Sequence, residues 1–227
     1  MRNKSYAVLT GDLVKSSRMS SEQSTSAMEW LRQLAKKFES VYPNSTIGQL
    51  DTFRHDSWQW LLAKPELALR AAVFMRAGLR AHSDGDVKFD TRVAIGTGKV
   101  ERIVEHRISD SRGLAFVRSG KALDAMKKHS HLTYAAERDI AEEEWLADGL
   151  VPLLDCIITD WTPTEARSVH GALMGWTQEE TAAQWPILNK TGKRRTRQAV
   201  AKSLRHAHWN TIREALEFVE ESAKSNL

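Results

Sequence analysis

The chain has a single cysteine, Cys156, among 227 residues, which excludes an intramolecular disulfide. A lone thiol in the apolar run Leu153-Leu154-Asp155-Cys156-Ile157-Ile158 is expected to be a small core residue, not a nucleophile. No apolar run approaches the length of a membrane span, and the first residues are charged and polar. Neither an anchor nor a signal peptide is therefore expected, and a reducing cytoplasm is the expected location. Acidic residues are missing from one long stretch: Thr181 through Arg213 holds no Asp or Glu, while Lys190, Lys193, Arg194, Arg195, Arg197, Lys202, Arg205 and Arg213 all fall there. The net charge is only +4, so it is this local asymmetry that points to a polyanion-binding surface, with a solvated basic helix as the plain alternative.

What is present is a sequence long enough to bury a core without staples, with two domains expected. Tyr6 to Val14 is a short apolar run that stops at Gly11-Asp12 and passes into Lys15-Ser16-Ser17, the pattern of a buried strand that delivers a carboxylate to a sheet edge. Ser20 or Ser21 caps a helix to about Val41, with Met28, Leu31, Leu34, Ala35 and Phe38 on one face. Ile47–Phe53 and Ser57–Ala63 form a hairpin around Arg54-His55-Asp56, with Trp58 and Trp60 sharing a face that is expected to be core. Pro65 opens a second helix, Lys88–Gly96 reads as an alternating strand, Lys99–Val104 as a short segment, and His131–Ala135 as an edge strand. His106, His129 and His131 lack metal-ligand spacing and are expected at the surface.

The order strand, helix, strand, strand, helix, strand is the split βαβ arrangement of an α+β, ferredoxin-like domain. Right-handed crossovers then put the first and third strands side by side and antiparallel, so that Asp12 and Asp56 converge on one rim. Two carboxylates at one rim invite a hard cation such as Mg²⁺, which keeps several waters and accepts phosphate oxygens. Lys15 and Ser16 can offer charge and N–H groups to those phosphates, making a nucleoside triphosphate or cyclic nucleotide the expected ligand. The alternative is that both acids are ordinary turn residues.

These residues carry a resemblance. Asp12, the hairpin Asp56, Pro65 to Ala72, and Thr91-Arg92-Val93-Ala94-Ile95-Gly96-Thr97-Gly98-Lys99-Val100 look like the core of class III nucleotidyl cyclase catalytic (palm) domains. Gly11 to Arg18, the Asp56 hairpin and Gly113 to Leu123 are more closely similar to the SatD-like proteins, over about residues 5 to 127. The resemblance implies metal ligation by Asp12 and Asp56, with Gly11, Lys15, Ser16, Arg118 and Lys121 around the nucleotide. His55 stands where the cyclase pattern has Gly, and the helix bearing Arg118 and Lys121 has no transition-state Asn. Binding without turnover is thus the expectation.

Beyond an acidic helix expected at Glu137–Trp145 and an apolar segment at Leu150–Trp161, Thr162 and Pro163 mark a boundary as cap and first helical residue. Residues 1–135, 136–161 and 162–227 are thus read as a sheet domain, a connecting helical segment and an all-α domain. In the last, Thr164–Met174 is one helix, Thr177 and Glu180 form a capping box for a second, and a turn over Pro186–Gly192 precedes a third at Thr196–Arg205. This is the helix-turn-helix plan, and the wording resembles sigma-factor and response-regulator output domains, with a longer turn. Lys193, Arg194, Arg195, Arg197, Gln198, Lys202 and Arg205 are the expected DNA contacts. Ile212, Leu216 and Val219 give the last helix an apolar stripe suited to a homodimer or to core packing. The expected function is a DNA-binding transcriptional regulator with a nucleotide-sensing, catalytically degenerate cyclase-like domain. An active cyclase or nucleotidyltransferase and a non-enzymatic interaction module are the alternatives.

Overall fold

In the computed structural model, which describes residues 4–83, 87–135, 144–185 and 195–225, the chain is α+β. Strand β1 (Tyr6–Leu13) is followed by α1 (Ser21–Val41), whose start is a reciprocal cap: Ser20 Oγ accepts from the Gln23 N–H while the Gln23 side chain accepts from the Ser20 N–H. The hairpin β2 (Thr46–Phe53) and β3 (Ser57–Leu62), helix α2 (Ala68–Arg80) and β4 (Thr91–Gly98) come next. Pro65 starts a 3₁₀ turn, Pro65–Leu67, ahead of α2 rather than α2 itself. β5 (Val100–Arg102) and β6 (Arg112–Gly113) form a small ribbon before α3 (Leu114–Ala125) and β7 (Leu132–Ala135).

The main sheet runs β2-β3-β1-β4-β7, with β1 antiparallel to both neighbours and β7 parallel to β4 at the edge. Alternation along β1 sorts its two faces. Ala7, Leu9 and Leu13 join Trp58, Trp60 and Leu62 under α1 and α2, whereas Val8 meets Leu61, Ala115 and Phe116 beneath α3. Gly11 belongs to the first face, where a Cβ would lie 2.4 Å from the Trp58 ring and from the Arg92 carbonyl oxygen, so only glycine lets that indole cross the strand.

β4 begins three residues later than the alternation predicts, because Asp90 turns inward. Arg76 Nε and Nη2 donate to Asp90 at 3.1 and 2.8 Å, Arg76 Nη1 donates to Asp155 Oδ1 at 2.7 Å, and Arg80 Nη1 donates to Asp90 Oδ2 at 2.8 Å. Arg76 is fully buried and both acids nearly so. Burial alone would push the Asp90 carboxyl up, but Arg76 and Arg80 override it and hold the group below the usual carboxylate range.

Asp155 lies on α4 (Val151–Asp160), which continues from a π-helical turn at Leu146–Leu150. Its inward stripe is Val151, Leu154, Asp155 and Ile158, which leaves Cys156 on the solvent side. The expectation of a core thiol fails because Asp155, anchored by Arg76, takes the inward position and the helical period turns Cys156 outward. His131 is likewise not a surface histidine: its backbone N–H donates to Asp155 Oδ2 at 2.8 Å and its ring lies 3.3 Å from Thr159 Oγ1. The expected acidic helix lies for the most part outside the described residues.

Thr162 and Glu165 form the capping box of α5 (Pro163–Leu173), and Thr177 and Glu180 that of α6 (Gln178–Ala183). α7 (Arg197–His206) and α8 (Trp209–Ser225) complete the chain. Helix α2 is buried along almost its whole length because α5 covers the side that the sheet and α1 leave open. Ala166, Val169 and Leu173 of α5 and Ile212 and Leu216 of α8 share one apolar core with the sheet residues. The stripe on α8 is therefore used internally, while Phe218 stays exposed, edge-on to Trp145.

His170 of α5 sits in this core beside Phe74, and burial pushes its imidazole down to about 3. The unfolded chain takes up this proton near pH ~6.5 and the folded chain does not, so stability is complete above that pH and falls as the pH drops toward 3. We expect His170 to lower the unfolding free energy by about 1.6 kcal/mol between pH 6.5 and 5, and His170→Leu to remove that part and leave what His82 and His131, also held down by burial, contribute, measured by urea titration at each pH. Arg76→Met leaves the buried Asp155 carboxylate without its cation and Asp90 with Arg80 alone, and is expected to cost about 3–5 kcal/mol by the same measurement at pH 7.

Candidate functional site

The register of β1 fixes the rim. Asp12 stands opposite Ser57 on β3 and opposite Arg92 on β4, so the three side chains share the α3 face of the sheet. The Leu13 N–H donates to the Asp56 carbonyl oxygen at 3.0 Å, which ties the hairpin tip to the end of β1. Asp12 Oδ1 accepts from Arg92 Nε at 2.7 Å and Oδ2 accepts from Arg92 Nη2, a two-pronged ion pair. Asp56 Oδ2 accepts from Ser16 Oγ at 2.7 Å and Oδ1 from Ser57 Oγ at 3.2 Å.

Arg92, missed as a site residue by sequence reasoning, is the centre of charge here. The hydrogen bonds it donates to Asp12 raise its pKa against partial burial, and the charges of Asp12, Asp124 and Asp56 add to the rise. The signal lay in the antiparallel pairing, which puts a β4 residue directly across from Asp12. Deeper on the same face, Thr10 and Ser119 share a 2.8 Å hydroxyl bond and Gln59 Nε2 donates to Thr10 Oγ1 at 3.2 Å, giving the sheet a polar floor beside α3.

The expected nucleotide residues divide. Lys15 is exposed in the left-handed conformation (φ 57°), at the start of the 3₁₀ turn Ser16–Arg18, and Ser16 is bonded to Asp56; both belong to the rim. Lys121 is exposed on α3. Arg118 Nη1 donates to the Thr97 carbonyl oxygen at 2.9 Å, at the opposite end of β4 from Arg92, and Gly11 is buried against Trp58. Arg118 is therefore not brought to the rim, and Gly11, next to Asp12 in β1, turns its α-carbon to the opposite face of the sheet.

Two carboxylates and a hydroxyl are hard oxygen donors, and their chemistry fits a divalent cation that keeps most of its waters, which is the habit of Mg²⁺. Among the described residues no three His, Cys, Asp or Glu side chains gather into a ready metal cluster, so Asp12 and Asp56 are what the rim offers. Arg92 is the competitor: its guanidinium already balances Asp12, and a metal ion would have to displace it.

The basic stretch forms a second surface. Ala182 and Trp185 pack on Val200, which fixes α7 against α6, and Thr196 Oγ1 caps α7 by accepting from the Ala199 N–H at 3.3 Å. Val200 and Ser203 face inward, while Gln198, Lys202 and Arg205, at the i, i+4, i+7 spacing, lie exposed along the outer side. Arg197 is 3.5 Å from Glu179, and the Arg195 guanidinium lies over the Trp185 ring, 5.4 Å from its centroid, so these two are partly engaged within the chain. Lys193 and Arg194, and the turn expected over Pro186–Gly192, lie outside the described residues.

Neither a protein-family model nor a curated protein matches this chain.

If Arg92 is the cation that guards Asp12, Arg92→Gln is expected to tighten Mn²⁺ binding at least about fivefold, since one opposing charge is removed from a partly buried site. Isothermal titration checks this, and adding Asp12→Asn to the same chain is expected to abolish the gain.

Proposed function

We propose that the protein is a DNA-binding transcriptional regulator that reads the major groove with α7 and senses a nucleotide at the Asp12 rim. The observation that carries this is the outer face of α7: Gln198, Lys202 and Arg205 are exposed together, in a stretch with no acidic residue, on a helix held by the helix before it. Gln at such a position can bond the N6 and N7 edge of adenine in two places, and Lys and Arg can reach phosphates or guanine. α5 and α6 then lie behind the reading helix, as the scaffold of a helix-turn-helix does.

The strand order β2-β3-β1-β4 supports a ferredoxin-like, cyclase-like palm for the sheet part, in the manner of SatD-like proteins. In this reading Asp12 and Asp56 would hold Mg²⁺ once Arg92 is displaced, and Lys15 would approach the phosphates. The cation supplies charge neutralisation for a triphosphate; the chain's own residues orient it through Ser16 and the exposed turn that follows β1. Binding without turnover is favoured, because Arg118 is committed to the Thr97 carbonyl away from the rim and the helix that bears it has no Asn.

The test is fluorescence anisotropy on duplex DNA from the region upstream of the protein's own gene, titrated at several salt concentrations. Lys202→Ala with Arg205→Ala is expected to weaken binding at least about tenfold and to lower the log–log salt slope by about 2, one unit per phosphate contact. Unchanged affinity and slope would remove α7 from the interface. Incubation with the four nucleoside triphosphates and Mg²⁺ or Mn²⁺ separates sensing from turnover: no Asp12-dependent pyrophosphate release is expected.

A further inference from the structure

Hydrogen bonds run without a break from the Asp12 rim to the end of α7. Thr91 Oγ1 donates to the Asp12 carbonyl oxygen at 2.7 Å, and the Thr91 N–H donates to Asp90 Oδ1 at 2.9 Å. A second link from the rim reaches the same residue, because the Val14 N–H donates to the Asp90 carbonyl oxygen at 2.9 Å. Asp90 Oδ2 accepts from Arg80 Nη1 at 2.8 Å, and Arg80 Nη2 donates to the Thr159 carbonyl at 2.7 Å and to the Trp161 carbonyl. Trp161, itself buried, donates its indole N–H to the carbonyl oxygen of Ala207 at 3.2 Å, and Ala207 is the residue that closes α7.

The surroundings make this chain of contacts stiff. Arg76 and Arg80 project from α2, which also receives Arg167 of α5 at the Ala81 carbonyl and pairs Arg70 with Glu220 of α8. α5 and α8 are thus pinned to the helix that grips Asp90, and α7, between them in sequence, is tied at its C-terminal end through Trp161. Close-packed interiors transmit small displacements instead of absorbing them.

We propose that Asp90, Arg80 and Trp161 couple the state of the Asp12 rim to the positioning of α7. Breaking the Asp12–Arg92 pair, as a cation or phosphate arriving at the rim would do, shifts Thr91 and Val14, and both pull on Asp90. Arg80 passes the displacement to the carbonyls of Thr159 and Trp161, and the Trp161 indole alters how α7 is closed. This gives the sensing reading its output and rests on that reading for its biological meaning, yet the coupling can be measured without DNA or ligand.

Amide hydrogen exchange over residues 197–206 of the full chain is the measurement. Asp12→Asn and Arg92→Gln, both at the partly exposed rim, are each expected to change exchange in this segment at least about threefold, as coupling along such networks does, with exchange in α1 unaltered. Trp161→Phe keeps an aromatic, though smaller, ring in the core but removes the N–H, and in that background neither rim variant is expected to have a further effect. Unchanged exchange in α7 for both rim variants, or effects that simply multiply with that of Trp161→Phe, would overturn the proposal. The two rim variants decide alone if Trp161→Phe does not fold. Coupled exchange in a protein that binds no duplex DNA at low salt would uphold the coupling and overturn the assignment of α7 as a reading helix.

Discussion

A guanidinium with no access to water holds this structure in register. Arg76 lies at the centre of α2 and is held by one carboxylate from the entry to β4 and one from α4, and a charge so placed persists only where its partners satisfy it. The consequences are local in sequence and wide in space. Asp90 is drawn inward, which delays β4 to Thr91 and sets which β4 residue lies across from Asp12. Asp155 is drawn inward, which fixes the rotation of α4 and, through the His131 N–H, the entry to β7.

The same constraint explains why the helical half sits where it does. α4 is clamped by Arg76, Arg80 grips the carbonyls just before Thr162, and the capping box there starts α5 in a set direction over α2. Core residues from the sheet and from α5 and α8 merge at α2, so the helices around α7, which presents Gln198, Lys202 and Arg205, are not loosely hung from the sheet. The rim at Asp12 and the outer face of α7 are ends of one packed object.

Much of this was legible in the residues. The caps at Ser20, Thr162 and Thr177 are local patterns, and the structure contains each of them with its reciprocal partner. Trp58 and Trp60 alternate onto one face, and both are buried. What escaped was set by partners distant in sequence. Cys156 looked apolar in its run, but Asp155, seventy-nine positions from Arg76, decides the rotation of that helix. Arg92 stood inside a strand pattern, and only the antiparallel pairing of β4 with β1, not any spacing along the chain, puts it across from Asp12. His131 seemed to lie in polar sequence, and only the fold brings Asp155 and Thr159 to it.

The central claim is that α7 reads DNA, and selection from a random duplex pool by the full chain tests it most directly. Sequenced bound duplexes are expected to converge on a pattern with a required adenine, and Gln198→Ala is expected to lose the preference at that position while keeping the others. A pool that stays unenriched, or a pattern identical for the wild-type chain and for Gln198→Ala with Lys202→Ala and Arg205→Ala, would contradict it.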